Sequence, residues 1–210
     1  MTPSTPAKDL VVLTADKKVQ FALLGLLSRF HSLAIRQPDA DYYIHPGKDP
    51  GVLRNAHDFL RPFVHSHAHA VVLMDREGSG KEEWNRAEME KRIEHDLAVC
   101  GWEDRAAAVV IDPELEVWVW SDSPHVDGEL GWGKQEPDLR TWLREKGFWA
   151  ASAGKPGRPK EALEAALRAV RKPRSSAIYR SLAEKVSLSR CTDPAFKKLT
   201  DVLRAWFSEP

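Results

Sequence analysis

The sequence is poor in cysteine, in long apolar runs and in net charge. Its two cysteines, Cys100 and Cys191, lie far apart without metal-ligand spacing, so no disulfide framework is predicted. No stretch approaches the roughly 18 apolar residues of a membrane span, and the start MTPSTPAKDL lacks the basic and apolar regions of a signal peptide. These absences predict a cytoplasmic protein without a membrane partner.

The formal net charge of zero hides opposite charges in two parts of the chain. Residues 1–150 contain 18 Lys and Arg against 25 Asp and Glu, whereas residues 151–210 contain 13 against 6. A basic segment of this kind can bind a phosphate backbone, and it can equally dock on the acidic part of its own chain. The charge pattern leaves both interpretations open.

Short apolar runs alternate with segments of helical periodicity in the first half of the chain. Strands are predicted at DLVVLT (9–14), DYYIHP (41–46), HAVVLMD (69–75) and RAAAVVI (105–111). The third run has no polar alternation, which is typical of a strand that is covered on both faces. The sequence therefore predicts an α/β fold with a mainly parallel sheet flanked by helices.

GKPGRPK (154–160) is the clearest linker signal in the chain. After it, helical periodicity near residues 160–171, 175–187 and 194–207 predicts a basic helical part. We therefore predict an α/β domain at residues 1–153 and a basic helical C-terminal extension at residues 154–210.

Acidic residues follow two of the predicted strands. Asp75 and Glu77 leave the third strand, and Asp16 follows the first. Ligands of parallel sheets gather at the carboxyl ends of the strands, and hard cations take carboxylate oxygens. The three positions are compatible with one Mg²⁺ or Mn²⁺ site. Asp16 can also simply cap a helix, and the acid pair can also lie in a solvated loop.

Two nearby motifs resemble a nucleotide-binding loop and a zinc site but lack residues that such sites need. GSGK (78–81) lacks the first glycine and the hydroxyl residue of a Walker loop. Ser79 and Glu82 instead fit a capping box for the helix that follows. HSHAH (65–69) has no cysteine or acid partner at a fixed offset, so a surface turn is predicted rather than a zinc site.

The acids and the alternating elements together resemble a known family. A first strand closing on an acid and a later strand closing on an acid-x-acid pair resemble the TOPRIM domain of topoisomerases, primases and OLD-type nucleases. IDPELEVWVWSD (111–122) and AFKKLTDVL (195–203) resemble segments of small TOPRIM-like proteins from bacterial defence and mobile-element loci. This resemblance implies a TOPRIM-like sheet and a Mg²⁺-dependent, nuclease-like site.

The resemblance also implies roles for individual acids. Asp16 takes the position of a glutamate that acts as general acid or base, and Asp75 and Glu77 take those of the metal-binding pair. Glu116 takes that of an additional catalytic acid. The composition around Glu116 fits either a strand or a short helix, and the resemblance favours the helix.

Basic side chains cluster in the predicted C-terminal extension. They are Lys160, Arg171, Lys172 and Arg174, and KPRSS (172–176) resembles a phosphate-facing turn. We predict that these residues hold the backbone of DNA or RNA, although a basic run can also be a solvated face.

Two functions from different classes follow from these patterns. The first is a Mg²⁺-dependent, phosphodiester-cleaving protein that acts on nucleic acid in bacterial antiviral defence. The second is a TOPRIM-like binding or assembly subunit with degenerate acids, which contacts a protein partner in a defence complex. It would use the basic tail or exposed tryptophans such as Trp132, Trp142 and Trp149. A small-molecule hydrolase on a similar sheet ranks last, because only fold analogy supports it.

Overall fold

Four strands form one parallel sheet in the order β2-β1-β3-β4 in the computed structural model, which describes residues 6–188 and 190–208. Their bounds are Lys8–Thr14 for β1, Ala40–Ile44 for β2, His67–Asp75 for β3 and Ala106–Ile111 for β4. The predicted α/β fold with a parallel sheet is confirmed. The expected surface turn at residues 65–69 is wrong in part, because β3 already begins at His67 and buries that residue.

Helices connect the strands and continue after the sheet. Their bounds are Lys17–Leu27 (α1), Phe30–Leu33 (α2), Lys48–Leu60 (α3), Arg86–Leu97 (α4), Glu116–Val119 (α5), Pro124–Leu130 (α6), Leu139–Glu145 (α7), Pro159–Ala169 (α8), Ser176–Lys185 (α9) and Pro194–Phe207 (α10). A 3₁₀ turn at Arg61–Phe63 extends α3, and a π-helical turn at Ala98–Trp102 extends α4. Within residues 6–188 and 190–208, no helix combines the length and the apolarity needed to cross a bilayer.

Both faces of the sheet are buried, as the unbroken apolar runs predict. On one face, Leu10 and Val12 of β1 lie in a cluster with residues of α1, α9 and α10. On the opposite face, Val11 and Leu13 pack with residues of α3 and α4. Successive residues of a strand point to opposite faces, so a strand in the middle layer needs apolar residues at every position. The sheet is the middle layer of three.

The C-terminal helices share an apolar cluster with β1 and α1. Helix α9 packs along α1, and α10 packs against β4. Tyr179, Leu182 and Leu203 from these helices lie in one cluster with Leu10 and Leu23. The division into residues 1–153 and 154–210 stays a prediction.

The tryptophans that were expected to be exposed belong to this cluster. Trp132 and Trp149 are buried, and Trp142 is half-buried with its ring centroid 4.9 Å from that of Trp132. The expectation of exposed rings is therefore wrong. The reason is that α6, α7 and the segment after α7 place these large apolar rings against the core.

The loop after β3 does not contain the predicted capping box. Helix α4 begins later, where the Asn85 side chain accepts from the Glu88 N–H and the Glu88 carboxylate accepts from the Asn85 N–H. Glu82 Oε1 instead accepts from the N–H groups of Gly78 and Gly80 at 3.0 and 3.2 Å. Both glycines have positive φ, which turns their N–H groups towards Glu82 and closes the loop locally.

Helix α1 approaches α9 closely at Gly25. A Cβ atom there would overlap the Arg180 carbonyl oxygen and lie 3.0 Å from Ala183 Cβ. We expect Gly25→Ala to lower the free energy of unfolding, because overpacking costs about 1–3 kcal/mol against about 1 kcal/mol gained in helix propensity. Urea unfolding measures the change. Gly128→Ala in α6 is the control, since a Cβ there meets no described atom within 4 Å. Equal stability of the two variants would contradict the close approach.

Candidate functional site

At least one acid lies at the carboxyl end of each strand of the sheet, at the same edge. Asp16 comes two residues after β1, Asp49 lies in the first turn of α3 after β2, Asp75 ends β3, and Glu116 begins α5 after β4. The carboxyl ends of parallel strands meet at one edge of a sheet. The charges of the other three acids all raise the pKa of Asp75. We call Asp16, Asp49, Asp75 and Glu116 the acid cluster.

Asp75, the acid that ends β3, is half-buried and hydrogen-bonded to two neighbouring segments. Its backbone N–H donates to Asp49 Oδ1 at 2.8 Å, and its own Oδ1 accepts from the Leu115 N–H at 2.9 Å. Desolvation raises the pKa of Asp75 well above its usual range, and the other acids of the cluster add to this rise. Lys18 acts in the opposite direction. The carboxyl group therefore keeps a proton more readily than an exposed aspartate, unless a cation compensates for its charge.

Asp49 is a member of the cluster that the sequence interpretation missed. Burial raises the pKa of its carboxyl group, while the hydrogen bond from the Asp75 N–H lowers it. Its position in the sequence could have indicated it, because Asp49 comes three residues after the predicted second strand at 41–46. The same rule that selected Asp16 would have selected it.

Glu116 is fully buried and holds its own set of partners. Its Oε1 accepts from the Arg174 guanidinium and from the Tyr179 hydroxyl, the latter at 2.6 Å. Its Oε2 is buried and has no hydrogen-bond partner among the described residues. Burial, together with this carboxylate, raises the pKa of Tyr179, so the hydroxyl stays a donor. The predicted short helix at this position is observed as α5.

Asp16 caps a helix and faces the cluster at the same time. Its Oδ1 accepts from the N–H groups of Lys18 and Val19 at 2.8 and 2.9 Å, which satisfies the first turn of α1. Its Oδ2 lies 3.2 Å from Lys18 Nζ. The two interpretations of Asp16 are therefore compatible, because each uses a different oxygen.

Glu77 does not join the cluster. Glu77 is exposed, and its N–H donates to the Pro113 carbonyl. Its charge raises the pKa of Glu114 rather than that of Asp75. The sequence analysis grouped Asp75 and Glu77 in one metal site. β3 ends at Asp75, so the alternation of a strand no longer fixes the direction of the next side chains.

The predicted nucleic-acid-binding residues are mostly engaged within the chain. Lys160 Nζ lies 3.5 Å from Glu114 Oε2, and Arg174 contacts Glu116, Tyr179 and Glu164. Lys172 Nζ donates to the carbonyl oxygen of Glu129. Arg171 is exposed. Of the two interpretations of the basic tail, the structure shows intramolecular docking for Lys160 and Arg174.

The acid cluster carries more negative than positive charge. Its four carboxylates face Lys18, which acts on Asp16, Asp49, Asp75 and Glu116, and Arg174, which contacts Glu116. If all these groups are ionised, two negative charges remain uncompensated. In the low-dielectric surroundings of Asp75 such a surplus is costly, and a proton or a cation has to offset it.

The donor atoms of the cluster fit a hard divalent cation. Carboxylate oxygens are the preferred ligands of Mg²⁺, which often keeps several waters and uses only one or two protein carboxylates. Glu116 Oε2 is an acceptor that has no hydrogen bond among the described residues. No group of three or more His, Cys, Asp or Glu side chains within residues 6–188 and 190–208 is arranged as a ready-made metal site. An ion at the cluster would take part of its ligands from water.

Comparison with family models, with curated proteins and with solved structures gave no match. The TOPRIM resemblance therefore stays a prediction.

Proposed function

We propose that the protein is a phosphodiesterase that cleaves nucleic acid and depends on Mg²⁺ or Mn²⁺. The observation that supports this proposal is that an acid follows each of the four strands, so that the cluster would carry two uncompensated negative charges with all its groups ionised. A divalent cation would supply the missing charge. A role in bacterial antiviral defence is proposed from the resemblance alone.

The side chains of the cluster would have different roles in the reaction. Asp75 and Asp49 would hold the cation, which supplies polarisation of the phosphate and a more acidic bound water. Asp75 would give up its proton on binding, and its Leu115 hydrogen bond would keep one oxygen in place. Asp16 is partly exposed and could accept a proton from the attacking water.

Basic residues beside the acids offer contacts for the substrate backbone. Lys17 follows Asp16, Lys48 precedes Asp49, and both are exposed. Phosphate contacts of this kind supply affinity without reading the base sequence. In this proposal they take the place that the sequence interpretation gave to Lys160 and Arg174.

A cleavage assay tests the proposed function. Labelled single- and double-stranded DNA and RNA are incubated with the purified protein in the presence of Mg²⁺, Mn²⁺ or EDTA. We expect cleavage that requires the metal, and a loss of at least about 100-fold in Asp75→Asn, because a metal ion contributes several kcal/mol to the transition state. Glu83→Gln removes an exposed acid outside the cluster and serves as the control. Undiminished cleavage by Asp75→Asn would contradict the proposal.

A second candidate is a binding or assembly subunit whose acids no longer hold metal. The observation that favours it is that basic side chains of the same chain already form ion pairs with the cluster. Lys18 pairs with Asp16, and Arg174 pairs with Glu116. Titration calorimetry with Mn²⁺ separates the two candidates. The second one predicts no binding heat, no cleavage, and co-purification of the protein with a defence partner. Metal binding that Asp75→Asn abolishes would contradict it.

A further inference from the structure

Lys18 is the cation that touches the largest part of the acid cluster. Its Nζ lies 3.2 Å from Asp16 Oδ2 and 3.8 Å from Glu116 Oε1. Its charge also acts on Asp49 and Asp75. The side chain thus bridges acids that follow different strands.

The backbone of α1 fixes this position. The Lys18 N–H donates to Asp16 Oδ1 at 2.8 Å, so the start of α1 holds Lys18 beside the acid that caps it. The side chain is 26% exposed, and its ammonium group lies between two carboxylates rather than in open solvent. Lys17, the preceding residue, is exposed and points its ammonium group over the Phe21 ring at 5.4 Å.

We propose that the positive charge of the Lys18 ammonium group limits the acid cluster to one divalent metal ion. This inference rests on the proposed function. In two-metal phosphoryl-transfer sites the ions lie about 3.5–4 Å apart and share carboxylates. The Lys18 ammonium group already contacts Asp16 and Glu116, whose oxygens a second ion would need, and its charge repels that ion.

The charges agree with a single ion. With every carboxylate ionised and with Lys18 and Arg174 present, the cluster has two negative charges in excess, which one divalent ion neutralises. Without Lys18 the excess is three negative charges, so one divalent ion leaves one negative charge uncompensated. Glu116 Oε2, fully buried and without a hydrogen bond among the described residues, is the free acceptor that a second ion could use.

Lys18→Met tests this inference, because methionine keeps much of the side-chain length and removes the charge. The probe is Mn²⁺, followed by titration calorimetry and by the electron paramagnetic resonance of the unbound ion. We expect the wild-type protein to bind one ion and Lys18→Met to bind two. Lys91→Met, which removes an exposed charge of α4 outside the cluster, is the control and should bind one. Lys18→Arg keeps the charge and should also bind one, which separates a charge effect from a folding defect.

The outcomes distinguish this inference from the proposed function. If wild type and Lys18→Met each bind one ion and both cleave nucleic acid, only the role of Lys18 is overturned. If neither protein binds Mn²⁺ or cleaves, the proposed function fails together with it. If only Lys18→Met binds an ion, Lys18 has replaced the metal entirely, which overturns the one-ion site of the wild type.

Discussion

Arg174→Ala is expected to lower the free energy of unfolding by about 3–5 kcal/mol, the usual cost of removing one partner from a buried ion pair. Glu116 is fully buried, and Arg174 is its closest cation. After the substitution the carboxylate keeps the Tyr179 hydrogen bond and the more distant Lys18. These contacts do not replace a guanidinium in direct contact.

Urea unfolding of a double-mutant cycle measures this effect. Glu116→Gln in the Arg174→Ala background should restore part of the lost stability, because it removes the unpaired charge. Arg171→Ala alters an exposed neighbour and should change stability by no more than about 0.5 kcal/mol. A loss below about 1 kcal/mol in Arg174→Ala would show that Glu116 does not depend on this pair.

Asp75→Asn is expected to raise the stability of the metal-free protein at neutral and alkaline pH. Burial and the neighbouring acids hold the pKa of Asp75 well above its usual range. The folded state therefore binds this proton more tightly than the unfolded chain. The stability linked to the proton is fully present below the unfolded pKa of about 4 and is lost as the pH rises through the folded pKa. Asparagine carries no charge, and its oxygen can keep the Leu115 hydrogen bond.

Thermal unfolding in EDTA at a series of pH values tests this prediction. The variant should equal the wild type near pH 4 and exceed it increasingly as the pH rises, at about 2–4 °C in Tm for each kcal/mol. Glu83→Gln, which removes an exposed acid, should follow the wild type. Mn²⁺ should raise the Tm of the wild type and leave that of Asp75→Asn unchanged. A variant that is less stable than the wild type at pH 8 would refute the assignment.

The layers of the fold could be predicted because their signals are local. The run VVLM before Asp75 has no polar residue, and only a strand covered on both faces needs such a run. The periodicity at 194–207 matched α10 at both ends, since Asp193 caps it and Pro194 begins it. The start of α4 was missed because two S/N-x-x-E patterns compete, and the glycines at 78 and 80 bend the first one away from a helix.

The site could be predicted only in part, because its geometry depends on contacts between distant residues. Asp16 and Asp75 were found by their position after strands, and Glu116 was found through the family resemblance. The positional rule could also have found Asp49. The partner of Glu116 could not be found in this way. Arg174 lies 58 residues further along the chain and had the local appearance of a phosphate-binding residue. Only the packing of α9 on α1 brings it to the acid.

The packing of α9 also determines when the acid cluster is finished during synthesis. The acids come from residues 16–116, whereas the two partners of Glu116 come later in the chain. Arg174 precedes α9, and Tyr179 lies in the first turn of α9. A chain still held by the ribosome before these residues emerge has the carboxylates without their guanidinium. The cluster therefore obtains this guanidinium only after the ribosome has added the 58 residues that lead from Glu116 to Arg174.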